Sequence, residues 1–442
     1  MRIQLSDHFT YSRLLRFTLP SIIMMVFTSI YSVVDGFFVS NFVGKTPFAA
    51  VNLIMPFLMI LGSIGFMFGA GGSALIAKAL GEGKKQAAQD MFSLFVWATV
   101  LCGIAVAVPS FLFLRPISAL LGARGILLEH CVLYGRILLM TLPLLMLQFA
   151  FQSFCIAAEK PNLGLTVSVI SGVVNMILDA LLTAVLPGGL TGAAWATAIS
   201  QAIGGLFPLL WFSRPNDSLL HLGKPAMDRR ALLRACTNGS SELMSNLSMS
   251  LVGMLYNVQL LRWAGENGVA AYGVLMYVNL IFLSIFIGYS TGTAPVVGFH
   301  YGAGHRKELQ SLRQKSFVII LLSSAAMFLL SEALAVPLSA LFVRYDPALM
   351  EMTVRAFRLY SFSFLFSGIA IFGSSFFTAL SDGLTSALIS FLRTLLFQSA
   401  AVLIFPMLWG LDGIWISVAA AEVVAAMVTL IFLAAKQKRF GY

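Results

Sequence analysis

Residues 171–201 read SGVVNMILDALLTAVLPGGLTGAAWATAISQ. They join two apolar runs, 163–186 and 190–212, through a Pro-Gly-Gly turn that starts at Pro187. Each run has the roughly 20 residues that a helix needs to cross a bilayer. Asn175 and Asp179 stand four positions apart in the first run, so one helix face carries both. Thr197 lies in the second run. An ionised carboxylate in so apolar a segment is expensive, and residues of this kind mark functional places. One more acid, Asp35, has a similar setting near the start of the chain.

Composition extends this to the whole molecule. Of 442 residues, 59% are hydrophobic and 10% charged, and the mean hydropathy is +0.91. Soluble domains carry about 25% charged residues. The chain therefore reads as a polytopic membrane protein. The net charge of +10 does not indicate a nucleic-acid partner, because the Lys and Arg fall in loops, where they set orientation. Cys102, Cys131, Cys155 and Cys236 are scattered and suggest neither a zinc site nor a disulfide framework. The opening MRIQLSDHFTYSRLLRF has no small-residue cleavage site, so the first span itself is expected to direct insertion.

The length rule gives twelve spans, at 14–42, 47–77, 90–113, 127–157, 163–186, 190–212, 233–261, 268–299, 315–341, 352–379, 385–408 and 413–435. Pro20, Pro56, Pro143, Pro295 and Pro406 are interior to spans and are candidate kinks. The longest polar connection, 213–230, separates two sets of six. The expected fold is an all-α integral membrane protein with twelve transmembrane helices in two pseudo-symmetric six-helix lobes. The lobes are expected at 1–213 and 232–442, with a linker at 214–231. The side bearing the termini holds nineteen Lys and Arg, Arg2 and Lys224 among them. The other side holds eight, including Lys45 and Arg344. Positive charge stays inside, so both termini are expected in the cytoplasm.

The halves repeat. AAVNLIMP at 49–56 matches AAYGVLMY at 270–277, and GGSALIAKALGEG at 71–83 matches GTAPVVGFHYGAG at 292–304. GLTGAAWATAISQ at 189–201 matches GLDGIWISVAAAE at 410–422. All three pairs share an offset of 221 residues. Six spans per half is even, so both halves insert the same way up, about an axis along the membrane normal.

Asp35, Asp179 and Thr197 each lie about seven residues from the same membrane face, a depth of roughly 10 Å. With the Asn175 amide oxygen they form a hard oxygen set that suits Na⁺ or a shuttled proton rather than a soft metal. The competing possibility is an Asp satisfied by structural hydrogen bonds, or one at a helix end. The offset places Tyr256 opposite Asp35 and Ala400 opposite Asp179, so the second half lacks this set. Gln148, Gln152, Glu242, Asn279 and Arg393 are candidates for a substrate cavity, and Glu422 aligns with Gln201. The glycines at 69–72 and 81–83 are not a phosphate loop, since no Lys-Ser/Thr follows. The five histidines are dispersed and loop-proximal, and no hydrolase triad or metal-ligand cluster is legible. Enzymatic activity is therefore not expected.

Twelve spans in two halves, Pro20, VDGFFVSNFVG around Asp35, and NMILD followed by Thr197 together resemble the multidrug and toxic compound extrusion (MATE) family. The resemblance covers roughly Leu14 to Ala435. It implies an N-lobe cation site at Asp35, Asn175, Asp179 and Thr197, and a bending first span at Pro20. Family branches that use a deep acid in span ten are not matched, because Met352 to Ala379 contains none. The expected activity is antiport at the inner membrane, exporting organic cations or amphipathic drugs against Na⁺ or H⁺. The protein is expected to act as a monomer in the lipid bilayer, with no cofactor beyond the coupling ion. The alternative is a flippase for a lipid-linked precursor, which would need a cationic cavity.

Overall fold

The computed structural model describes residues 3–186, 188–344 and 346–442. Arg2 of the charge count and Pro187 of the turn lie outside the described residues, as does the side chain of Lys45. Span one is Tyr11–Phe38, continued by a π-helical segment Val39–Val43. Span two is Lys45–Gly81, and span three is Lys85–Leu112. Span four is the pair Ile126–Met140 and Leu142–Ala157, bent by 57°. Span five is Pro161–Asp179 with a π-helical end, Ala180–Val185, and span six is Gly189–Ser213.

The second half starts with a helical run of 74 residues, Arg229–Gly302. A straight helix of that length would measure about 110 Å, far more than a bilayer of about 30 Å. Gly265 breaks it, with φ 62° and ψ −151°. The rings of Tyr256 and Tyr272 stack with centroids 5.4 Å apart, whereas sixteen residues of straight helix would part them by about 24 Å. The chain therefore turns back at Gly265 into spans seven and eight. Gly410 (φ 60°, ψ −138°) does the same within Gly383–Phe440, dividing spans eleven and twelve. Only glycine adopts such angles without strain. Span nine is Arg306–Val343. Span ten is Pro347–Ser361 and Phe364–Ala379, bent by 49°. Its bend has no proline, unlike the kinks expected from sequence. It falls at a Ser-Phe-Ser step, where the Ser361 hydroxyl donates to the Arg358 carbonyl (2.8 Å) and to a Glu332 oxygen. Serine pairs are a known cause of kinks.

Spans one to six meet spans seven to twelve by interlocking glycines on the side of the termini. A Cβ on Gly239 would lie 1.9 Å from the Met67 carbonyl oxygen, and one on Gly71 2.1 Å from that of Ala235. Gly81 and Gly302 abut the carbonyls of Phe299 and Lys78 in the same way. The N-terminal segment crosses both halves there. The Leu5 amide donates to Glu159 (2.7 Å), the Phe9 amide to Glu308 (2.9 Å), and Lys315 to the Phe9 carbonyl (2.5 Å). Nearer the middle, Gly288 and Gly292 of span eight rest against Ser21, Ile22 and Thr18, on either side of Pro20. The Ser29 hydroxyl reaches the Leu280 carbonyl at 3.4 Å. Beyond Ser29, no hydrogen bond, ring contact or close glycine contact joins the halves among the described residues.

Candidate functional site

Asp35 lies in the last turn of the α-helical part of span one, and Asp179 is the last α-helical residue of span five. A π-helical segment follows each within four residues. Such segments are rare and often accompany functional sites, because the extra residue per turn disturbs the hydrogen-bond ladder. Here the Thr183 hydroxyl donates to the Asp179 carbonyl at 2.5 Å.

Spans one and five pack side by side, and the Asp35 and Asp179 carboxyl groups interact across them. Asp179 and Asn175 are fully buried. Neither Asp179 oxygen, nor Asp35 Oδ1, nor either polar atom of the Asn175 amide has a hydrogen-bond partner among the described residues. Two carboxylates are both acceptors, so they cannot bond without a proton or cation between them. Buried polar groups are nearly always paired, and each exception calls for a cause. The Thr197 hydroxyl donates to the Ala193 carbonyl (3.1 Å), which leaves its own oxygen free to accept.

Two tyrosines complete the site, and neither was singled out from sequence. Tyr134 of span four is fully buried, its hydroxyl without a hydrogen-bond partner among the described residues; it lies beside Thr197 and within electrostatic range of both acids. Tyr31 lies beside Asp35 and Gln148. The one available signal for Tyr31 was its position four residues before Asp35, on the same helix face. Tyr134 carried none, since its approach depends on how span four packs.

The other candidates go to different places. Gln148 and Gln152 are buried inside the first half, around an interior void of about 10 Å³ also lined by Gly164, Ser168 and Gly204. That void is too small for a drug molecule. Asn279 is half-buried next to Leu280, where spans one and eight touch. Glu242 is half-buried in span seven, three residues past Gly239. Arg393 does not stand alone: its Nε donates to both carboxylate oxygens of Glu422, at 3.0 and 2.9 Å. The histidines are less dispersed than they read. His300 is buried, its Nδ1 lies 3.2 Å from that of His305, and His8 Nδ1 lies 2.6 Å from Glu308.

The second half differs at the matching places. The Tyr256 hydroxyl, opposite Asp35 in the repeat, is 2.6 Å from the Ser417 hydroxyl and thus satisfied. Known proteins bear on this arrangement. The model of the MatE family matches residues 20–181 and 243–402, one segment in each half and both acids in the first. The chain belongs to the MatE family. It is similar to the multidrug export protein MepA of Staphylococcus haemolyticus, 24% identical over 97% of this chain and 94% of that one. MepA of Staphylococcus aureus is 24% identical over 96% and 93%. A solved structure described as the outward-facing conformation of a multidrug resistance MATE family transporter superposes with TM-score 0.93, at 22% identity over 98% of this chain and 97% of that one. A MATE in the straight conformation gives 0.92, at 22% identity over 98% and 97%. The MatE fold of two six-helix lobes is thus common to this chain and those structures.

Proposed function

We propose that this MatE protein is a secondary antiporter of the cytoplasmic membrane. It exports organic cations or other amphipathic drugs while Na⁺ or H⁺ enters through the Asp35–Asp179 site. The observation that carries this is the neighbouring pair Asp35 and Asp179, of which both Asp179 oxygens and Asp35 Oδ1 lack a hydrogen-bond partner among the described residues. A buried acid beside a half-buried one, with no base paired to either among the described residues, needs an exchangeable cation, and hard oxygen donors suit Na⁺ or a proton. The relatives named as multidrug export proteins support the substrate class.

The excess of Lys and Arg beside the termini supports a cytoplasmic placement of that side. The glycine interlock then closes the cytoplasmic side, and the conformation faces outward. An ion enters from outside and neutralises the acid pair, with Asn175, Thr197 and Tyr134 as further oxygen ligands. Coupling requires only that ion and drug favour different states of the first half. Pro20 supplies a place for span one to change its bend, since its ring removes one backbone hydrogen bond. Gly288 and Gly292 let span eight pack closely against span one on either side of Pro20. A flippase for a pyrophosphate lipid would want free cationic groups in the cavity, and Arg393 is already engaged by Glu422.

The test is drug efflux from proteoliposomes under an imposed Na⁺ or pH gradient, at matched protein levels. Asp35→Asn and Asp179→Asn should each abolish gradient-driven efflux, and Tyr256→Phe should keep coupling. Normal pumping and coupling ratio in both Asn variants would discard the ion site.

A further inference from the structure

We infer that Arg393 is a tethered cation filling the second half's counterpart of the ion site, so that only the first half exchanges an ion with solution. This rests on the proposal that Asp35 and Asp179 take up a cation. Spans eleven and twelve repeat spans five and six at the offset of 221. Glu422 aligns with Gln201, one turn beyond Thr197, and Arg393 aligns with Gly172, one turn before Asn175. Both shifts run toward the side of the termini, by about 5 Å. The Arg393–Glu422 pair therefore lies in the counterpart of the first half's site, one turn from the positions matching Asn175 and Thr197 and two turns from the one matching Asp179.

Three further observations agree. The described residues contain three π-helical segments. Two follow Asp35 and Asp179, and the third, Phe391–Phe397, contains Arg393. The repeat also makes room for the arginine. In the first half, Phe27 and Tyr31 press on Gly172, where an added Cβ would lie 2.6 and 2.7 Å from their rings. The offset replaces Phe27, Tyr31 and Gly172 by Ser248, Val252 and Arg393, two large residues becoming small as the glycine becomes large. Finally, the charges differ in kind. The first half holds the buried Asp179 and the half-buried Asp35 with no base paired to them among the described residues, whereas Glu422, only 2% exposed, has Arg393 Nε on both oxygens and the Gln398 amide at 3.4 Å. A guanidinium cannot lose its proton or leave its chain, so this cation is permanent.

Removing Arg393 should leave Glu422 as a buried acid in need of a cation from solution. The experiment counts cations, Na⁺ by radiolabel and H⁺ by acid uptake across neutral pH, bound per purified full-length protein. Arg393→Gln should bind one more than wild type. Arg393→Lys, which keeps a tethered charge, and the double variant Arg393→Gln/Glu422→Gln should both match wild type. An unchanged count in Arg393→Gln overturns the inference, as does an extra cation that persists in the double variant. If Arg393→Gln does not fold, its refolding yield in rising Na⁺ or acid decides. Recovery with added cation supports the inference, and failure at every concentration refutes it. Repeating the count in an Asp179→Asn background separates this from the first-half site. Loss of a cation there tests Asp179, while the difference made by Arg393 tests only Glu422.

Discussion

Gly239→Ala should disturb the balance between the two faces of the transporter. The new Cβ would lie 1.9 Å from the Met67 carbonyl oxygen and 2.7 Å from its carbon. Ordinary contact begins near 3.4 Å, so spans two and seven must part by about 1.5 Å at this point. Backbone cannot yield as a flexible side chain does, and overpacking of this kind costs about 1–3 kcal/mol. The helix-propensity gain of Gly→Ala, about 0.5–1 kcal/mol, acts in every conformation and does not move the balance. At about 2 kcal/mol the conformation closed on the terminal side loses roughly 30-fold relative to one in which the halves separate there. Spin labels at Lys84 and Lys307, in a background without the four cysteines, would report this as a longer distance with a larger share. Gly253→Ala is the control, because nothing lies within 4 Å of its added Cβ. If Gly239→Ala and Gly253→Ala give the same distance distribution and transport rate, the glycine interlock does not hold this state closed.

Three further outcomes are expected. Tyr134→Phe removes a buried hydroxyl that lies beside Thr197 and has no hydrogen-bond partner among the described residues, so it should fold normally yet bind the coupling cation several-fold more weakly in radiolabel or proton-uptake titrations. Pro20→Ala restores a backbone donor in span one and should insert normally but transport slowly; unchanged kinetics at equal expression would make Pro20 merely tolerated. In the connection before span eleven, burial pushes the Asp382 carboxyl up, but hydrogen bonds from Lys436 (2.6 Å) and Thr385 (2.8 Å) outweigh it and hold it below the usual carboxylate range. A depressed acid stabilises the fold above its unfolded pKa and loses that contribution as pH falls through its folded one. Asp382→Asn should therefore lower the melting temperature at neutral pH, by an amount equivalent to about 1–2 kcal/mol, and the gap to wild type should close in acid.

The sequence by itself determined the membrane class, the twelve spans and the twofold repeat. These follow from one-dimensional quantities: the length of each apolar run against the bilayer thickness, and a constant offset between similar segments. It also singled out Asp35, Asn175, Asp179 and Thr197, because a polar residue in an apolar run is conspicuous without any neighbour. Arg393 and Glu422 were equally conspicuous but could not be paired, since they are 29 positions apart across a chain reversal at Gly410. His8, His300 and His305 looked scattered for the same reason. Tertiary structure alone decided that Tyr134 lies beside the acids, that Gln148 and Gln152 turn inward, and that the halves interlock beside the termini. Each depends on the rotation of a helix about its own axis and on which helix lies next to it. Three π-helical segments add a further shift, since each changes the residues per turn and so re-aims the side chains that follow. Hydropathy along the chain sets how deep a residue sits, but the direction it faces is set by close packing, which only the folded molecule contains.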